Sequence, residues 1–246
     1  MNYKDYIKWD RMPTTWCPGC SIGTVFKQLA FTFESMGLKK EELAIVSGIG
    51  CSGRAAGYYN IDSVHGTHGR ALSFAEGIKG GNEKLNVVVF SGDGDLTGIG
   101  GNHLLHTSRR DVNITVICIN NEIYGMTGGQ MAPTTPEGIK TLTSPLGNTF
   151  SPLNIQGIIT SNKNHFYARC SVYQIEHLKK CMKEAIEWDG FAFIDVISNC
   201  IENNGRRLGF KNGYEMLEKV KDDYKINLNP TGLLKDGELG IVKNGN

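Results

Sequence analysis

Two short motifs carry the groups best suited to chemistry in this chain, Gly92-Asp93-Gly94-Asp95 and Asn120-Asn121. Each follows an apolar, β-branched run, Val87-Val88-Val89-Phe90 and Ile114-Thr115-Val116-Ile117-Cys118-Ile119. Runs of that kind form strands buried on both faces of a parallel sheet. Two parallel strands joined by a helix would bring Asp93 and Asn121 to one sheet edge, the edge where open α/β sheets bind ligands. A carboxylate and an amide oxygen there suit a hard cation, and Mg²⁺ is typically held by few protein oxygens plus substrate phosphates. The glycines let the backbone approach a diphosphate closely. The competing reading is two strand-end turns, because Asp-Gly and Asn-Asn favour turns on their own account.

Further candidates lie around these motifs. The turn His65-Gly66-Thr67-His68-Gly69-Arg70 feeds a helix-like stretch, and a turn entering a helix N-terminus is a natural anion site; exposed loop histidines are the plainer alternative. Arg54 follows Cys51-Ser52-Gly53. Its guanidinium fork could take a carboxylate in bidentate fashion, or make an ordinary surface ion pair. Of seven cysteines, Cys17 and Cys20 form a CxxC, Cys51 follows a Gly-Ile-Gly turn, and Cys200 ends a strand-like run. Cys118 reads as core, Cys181 falls on an apolar helix face, and Cys170 has no partner pattern. By spacing alone the first four suit an iron–sulfur cluster, a structural zinc or a redox CxxC with two core cysteines.

The elements that must position these groups alternate. Ile22, Val25, Phe26, Leu29 and Phe33 have helical spacing over 21–36, with Gly37 as a stop. Leu43–Ile49 reads as a buried strand, 71–79 as a helix, the segment to Ser91 as a strand, 98–109 as a helix, and the segment to Ile119 as a strand. A long Gly/Thr/Pro-rich loop covers 124–151, and loops of that length inside a domain are often functional. Helix (152–161), strand (166–170), helix (174–188) and strand (191–197) follow, with Leu178, Cys181, Met182, Ala185 and Ile186 on one helix face. This alternation predicts an α/β fold, a doubly wound, mostly parallel sheet covered on both faces. One helix is expected at 213–224, and 225–246 reads as an arm or docking segment.

Composition narrows the class. The chain has 246 residues and a formal net charge of +1, enough length for a substantial core and no electrostatic case for nucleic acid or an anionic membrane surface. No apolar run approaches the ~18–20 residues of a membrane span. The start, Met1-Asn2-Tyr3-Lys4-Asp5-Tyr6, lacks an apolar signal core, so a cytoplasmic location is expected.

Taken in order, the motifs resemble the β subunits of the 2-oxoacid:ferredoxin oxidoreductases, which are thiamine diphosphate enzymes. The resemblance rests on Trp16-Cys17-Pro18-Gly19-Cys20, Gly48-Ile49-Gly50-Cys51-Ser52-Gly53, His68-Gly69-Arg70, Gly92-Asp93-Gly94-Asp95, Asn120-Asn121, Tyr124-Gly125-Met126-Thr127-Gly128-Gly129-Gln130 and Ser198-Asn199-Cys200. It runs from Trp16 to about Arg206, with an echo at Pro230–Lys235. The strings Gly48–Arg54, Pro133-Thr134-Thr135-Pro136 and Asn204-Gly205-Arg206 look most like the 2-oxoglutarate-acting branch.

The resemblance implies a thiamine diphosphate-binding domain over 1–206 and a helix and arm for subunit docking over 207–246. It implies Mg²⁺ on Asp93, Asn121 and the backbone carbonyl of Ile123. Gly92, Gly94, Asp95, Tyr124, Gly125 and Thr127 would cradle the cofactor, with Cys51, Ser52, Gly53, His68, Gly69 and Arg70 around it. Arg54 would lie near the substrate carboxylate, and Met126 and Ile123 would wall the reacting carbon. Cys17, Cys20, Cys51 and Cys200 would ligate one [4Fe–4S] cluster. The implied reaction joins a 2-oxoacid and coenzyme A to give acyl-CoA and CO₂, reversibly. Ferredoxin or flavodoxin would be the electron acceptor, and γ and δ subunits belong among the expected partners. The Glu that activates the cofactor would come from an α subunit, so the chain alone would be inactive.

Met131-Ala132, after Gly-Gly-Gln, and Ile201-Glu202-Asn203, after Cys200, depart from the family pattern. They leave pyruvate and branched-chain 2-oxoacids open as substrates. Outside the resemblance stand a non-oxidative decarboxylase or transketolase-like piece, a zinc-bearing scaffold, and a nucleotide-binding enzyme. For the last, the Gly-rich turns carry acid where a P-loop needs Lys.

Overall fold

The structure, a computed structural model, describes residues 2–245. Its centre is an eight-stranded sheet ordered β2-β1-β3-β4-β8-β7-β10-β9. The strands are β1 (Leu43–Ser47), β2 (Ser63–His65), β3 (Asn86–Gly92), β4 (Ile114–Asn120), β7 (His165–Ser171), β8 (Phe191–Ile197), β9 (Lys225–Ile226) and β10 (Glu238–Asn244). A separate two-stranded ribbon pairs β5 (Ile123–Tyr124) with β6 (Gln130–Met131). From β2 to β7 every pairing is parallel, and β10 joins β7 antiparallel.

The strands read as continuous apolar runs because both faces are covered. Val88, Phe90, Ile117, Ile119, Ala192, Ile194 and Val196 face one side. There they meet α1 (Ile22–Ser35), through Val25, Phe26, Leu29 and Phe33, and α5 (Ile175–Glu187), through Leu178, Cys181, Met182 and Ala185. Val87, Val89, Val116, Cys118, Phe191 and Phe193 face the other side. That layer holds α2 (Ala71–Gly81), α3 (Gly101–Arg109) and α4 (Ile155–Thr160). Successive strand side chains point to opposite faces, so each strand feeds two cores, and each fully buried large side chain contributes about 1.5–3 kcal/mol.

Three features differ from the sequence expectation. The Gly-Asp-Gly-Asp segment is no simple turn: Gly94–Ile99 forms a π-helical turn that runs into α3. A second such turn, Ile201–Gly205, follows Cys200. Turns of this kind recur at functional sites. The 124–151 segment is tightly organised, since the buried Asn148 side chain donates to the carbonyls of Thr135 (2.7 Å) and Phe150 (2.8 Å). The C-terminal segment is also no free arm. β10 extends the sheet, while α6 (Gly213–Asp223) buries Val220 against Ile197 and Leu239.

The strand order reverses direction between β1 and β3, because β2 lies on one side of β1 and β3 to β8 extend on the other. Ligands of open α/β sheets bind in the crevice outside such a switch point. Gly48–Gly53 and Gly92–Asp95 meet there.

A chain ending at Asp236 loses β10, unpairs the edge of β7 and exposes the surface that Leu239 covers. We expect a lower thermal midpoint and concentration-dependent association through the freed edge, read by thermal unfolding and size-exclusion chromatography.

Candidate active site

The crevice holds two adjoining cavities. The smaller, about 120 Å³, is lined by Cys51, Ser52, His68, Gly92–Asp95, Asn121 and Ile123–Thr127. Most of the predicted cofactor residues therefore converge. Three do not line it. Gly53 is buried behind the wall, and Gly69 gives its N–H to Asp95. Arg70 folds its guanidinium onto the carbonyls of Gly69 and Ile99, both at 3.3 Å.

Asp93 sits at the end of β3 and is only 2% exposed. Burial pushes its carboxyl up to about 7, against hydrogen bonds from Thr134 and the Gly94 N–H that favour the anion. The Thr134 hydroxyl donates to Oδ2 of Asp93, and the Thr97 hydroxyl donates to the Asp93 carbonyl at 2.7 Å. Glu122 next to Asn121 is likewise pushed up to about 7, first by burial and then by the charge of Asp93. A buried carboxylate costs heavily unless it is paired. The buried Asp93 carboxylate facing this cavity therefore suits a divalent cation, while Glu122 lines a different cavity with Arg169 and Asp195. Asn121 faces the same cavity, its Oδ1 accepting from the Ile123 N–H at 3.3 Å.

Close backbone approach governs the floor. The Tyr124 hydroxyl donates to the Gly94 carbonyl at 3.1 Å. A Cβ at Gly94 would lie 2.3 Å from the Tyr124 ring, so only glycine lets the ring cover the turn. Thr127 is at the rim, its hydroxyl donating to the Gln130 side chain at 2.5 Å.

The larger cavity, about 290 Å³, is lined by Cys17, Cys20, Cys51 and Cys200 together with Arg54 and Met126. All four thiols are free. Burial raises Cys20 to about 12 and also raises Cys51 and Cys200, and each of the three further feels the charge of neighbouring cysteines. The charge of Arg54 favours the Cys51 thiolate. Among the described residues, no group of three or more His, Cys, Asp or Glu closes around a single ion. The four sulfurs border a cavity instead.

Local hydrogen bonds explain how distant segments reach that cavity. Asn199 accepts from the Ser21 N–H at 3.0 Å and donates to the Gly19 carbonyl at 3.0 Å, tying the Cys200 strand end to the CxxC turn. Trp16 donates from Nε1 to the Cys51 carbonyl at 2.7 Å and packs edge-on against Phe26 and Tyr58. Asn203 donates to the Gly125 carbonyl at 2.7 Å and Asn204 to the Asn121 carbonyl at 3.4 Å. The π turn after Cys200 thus stitches the cysteine cavity to the loop carrying Asn121. Asn121, Gly125 and Met126 line both cavities.

Sequence reasoning assigned no role to Thr134, Asn203 or Asn204. Thr134 stood in a noted Pro-Thr-Thr-Pro string, and only the fold reveals that its hydroxyl reaches Asp93.

Comparison with known proteins identifies the family. The family model "Thiamine pyrophosphate enzyme, C-terminal TPP binding domain" matches residues 48–196. The 2-oxoglutarate synthase subunit KorB of Archaeoglobus fulgidus is 46% identical over 198 residues, 80% of this chain and 74% of that protein. KorB of Methanocaldococcus jannaschii is 42% identical over 95% of this chain and 86% of its own length. The solved 2-oxoglutarate:ferredoxin oxidoreductase from Magnetococcus marinus, with 2-oxoglutarate, coenzyme A and succinyl-CoA bound, superposes with a TM-score of 0.88. It is 27% identical and covers 100% of this chain and 86% of that chain. The chain belongs to the thiamine diphosphate-binding β subunits of the 2-oxoacid:ferredoxin oxidoreductases, close to their 2-oxoglutarate synthase branch.

Proposed function

We propose that the chain is the β subunit of a 2-oxoglutarate:ferredoxin oxidoreductase, working with an α subunit, coenzyme A and ferredoxin. The observation that carries this reading is the junction of the two cavities, where a buried acid site and a four-thiol site share Asn121, Gly125 and Met126 as walls. Redox decarboxylation needs the cofactor and the electron exit side by side.

When bound, thiamine diphosphate supplies carbanion chemistry, Mg²⁺ ties its diphosphate to the protein, and a [4Fe–4S] cluster accepts single electrons. Asp93, Asn121 and the Ile123 carbonyl would hold Mg²⁺, and the paired cation would relieve the burial cost at Asp93. The backbone of Gly92–Asp95, with Tyr124 above it, would seat the diphosphate. The four cysteines would hold the cluster, and a body of that size asks for a cavity, as found here, more than for a tight tetrahedral nest. Arg54, lining the thiol cavity, would receive the 2-oxoacid carboxylate through its fork. Met126 and Ile123 would exclude water from the reacting carbon.

The activating Glu is assigned to the α subunit. The segment 207–237 is assigned to subunit docking, and its exposed Tyr214, Leu228 and Leu233 suit a further chain, α or a γ or δ subunit. No helix among the described residues is long and apolar enough to cross a membrane, in keeping with a cytoplasmic enzyme.

The purified β chain alone should show no 2-oxoglutarate-dependent dye reduction, and turnover without α would overturn the shared-site reading. In the αβ complex, Asp93→Ala should abolish Mg²⁺-dependent thiamine diphosphate binding in calorimetry while leaving iron content unchanged. Thr134→Val should weaken that binding about tenfold, the loss of one hydrogen bond to a charged group. Anaerobic complex should be brown and bleach on 2-oxoglutarate with coenzyme A, and Cys17→Ala should remove the colour. A colourless zinc protein would discard the redox role, and bleaching only with pyruvate or a branched-chain 2-oxoacid would change the substrate.

A further inference from the structure

Asp95 follows the metal-site Asp93 by two positions and lines the same cavity, yet its carboxylate is taken up by protein donors. It is 3% exposed, and four groups from three segments close on it. The Ile49 N–H donates to Oδ1 at 3.1 Å from the turn after β1. The Gly69 N–H donates to Oδ1 at 2.7 Å from the turn before α2. The Ser91 hydroxyl donates to Oδ2 at 2.7 Å from β3. His68 meets Oδ1 through Nδ1. Gly48 makes room for the carboxylate, because a Cβ there would lie 1.9 Å from Oδ2.

The donor count fixes the histidine. Oδ1 already accepts two backbone N–H groups, so its third partner, Nδ1 of His68, is a donor. Nδ1 therefore carries a proton, and Nε2 is the nitrogen left for the cavity that His68 lines, where it can donate to an anionic ligand when the ring is protonated at both nitrogens. The Tyr124 ring stands edge-on to the imidazole, with centroids 6.3 Å apart at 85°, and limits its rotation. A histidine held at one nitrogen by a carboxylate has its orientation and tautomer set for the other nitrogen.

We propose that Asp95 is a positioning residue, acting through His68 to present Nε2 to the ligand of the Asp93 cavity. The residue that the motif offers as a second cradle for diphosphate is thus the clamp that joins β1, β3 and the α2 turn around one imidazole. The proposal rests on the cofactor reading for the identity of that ligand, but the clamp itself stands on the carboxylate's four partners.

The test uses the αβ complex and calorimetry with thiamine diphosphate and Mg²⁺. His68→Ala and Asp95→Ala should each weaken binding about tenfold, as loss of one charge-assisted hydrogen bond would. The double variant should be no weaker than the weaker single one, because Asp95 acts only through His68. Asp95→Asn should rescue to within about threefold. Its Oδ1 can still accept from Ile49, Gly69 and His68 while its NH₂ faces the Ser91 hydroxyl. Losses that multiply, an Asn variant as weak as the Ala variant, or binding indifferent to His68 would each overturn the proposal. Should Asp95→Ala not fold, solid-state ¹⁵N spectra of the wild-type complex labelled in histidine decide instead. A proton on Nδ1 of His68 supports the clamp, and one on Nε2 alone overturns it. If Asp93→Ala leaves affinity unchanged, the cofactor reading fails, while the spectrum still judges the clamp.

Discussion

The site is organised by the burial of the Asp93 carboxylate. A carboxyl group almost removed from water at a sheet edge, with other acids nearby, is unfavourable as an anion unless something positive meets it. The fold spends several elements on holding it there regardless. β3 delivers it, the π turn at Gly94–Ile99 caps its carbonyl through Thr97, and the long loop after β4 returns to place Thr134 on its side chain. The hydrogen bonds to the carboxylate, from Thr134 and from the Gly94 and Asp93 N–H groups, favour the charged form but do not outweigh desolvation. Such a balance would be met by the cation proposed for this site, which would then contribute to both folding and binding.

The second organising fact is that this acid site and the thiol site are one construction. The chain leaves β4 at Asn120, passes Asn121, and turns back through the β5–β6 ribbon. The turn after β8 then clamps this loop with Asn203 and Asn204. A Cβ at Gly125 would lie 3.0 Å from the Cys200 sulfur, so the loop backbone touches the thiol wall directly. Parallel strands β4 and β8 are neighbours, and their carboxyl ends necessarily deliver Asn121 and Cys200 to the same place. Adjacency of the acid cavity and the thiol cavity thus follows from strand order.

Legibility in the sequence divides along physical lines. The central strands were readable because two-sided burial makes them continuous apolar runs, and α1 and α5 because one stripe faces the sheet. The strand-end positions of Asp93 and Asn121 follow from those runs. The π turn was not readable, since Gly-Asp-Gly-Asp carries only a turn signal and the extra backbone residue is held by tertiary contacts. The same limit hides the Asp95 clamp, whose partners at Ile49 and Gly69 come from segments far off in sequence. The tail misleads for a different reason. β10 pairs β7 along one side and meets only the short β9 on the other, so apolar Leu239, Ile241 and Val242 sit among charged residues and glycine. The segment lacks the unbroken apolar run of an inner strand.

The seven cysteines show how burial and position together separate roles that composition cannot. Cys118, Cys170 and Cys181 are fully buried between the sheet and its helices, where a metal cluster would have no room. Cys17, Cys20, Cys51 and Cys200 lie at the carboxyl edge, half-buried or exposed, around one cavity. A CxxC alone cannot supply a four-thiolate site, and its two completing thiols come from opposite sides of the switch point. Cys51 is carried by the turn after β1 and Cys200 by the end of β8. Asn199 and Trp16 then draw the CxxC turn across the gap by bonding to backbone on each side. The thiol site therefore exists only when the parallel sheet is complete from β1 to β8. Assembly of the cluster proposed there is for that reason expected to follow folding of the sheet, not to nucleate it.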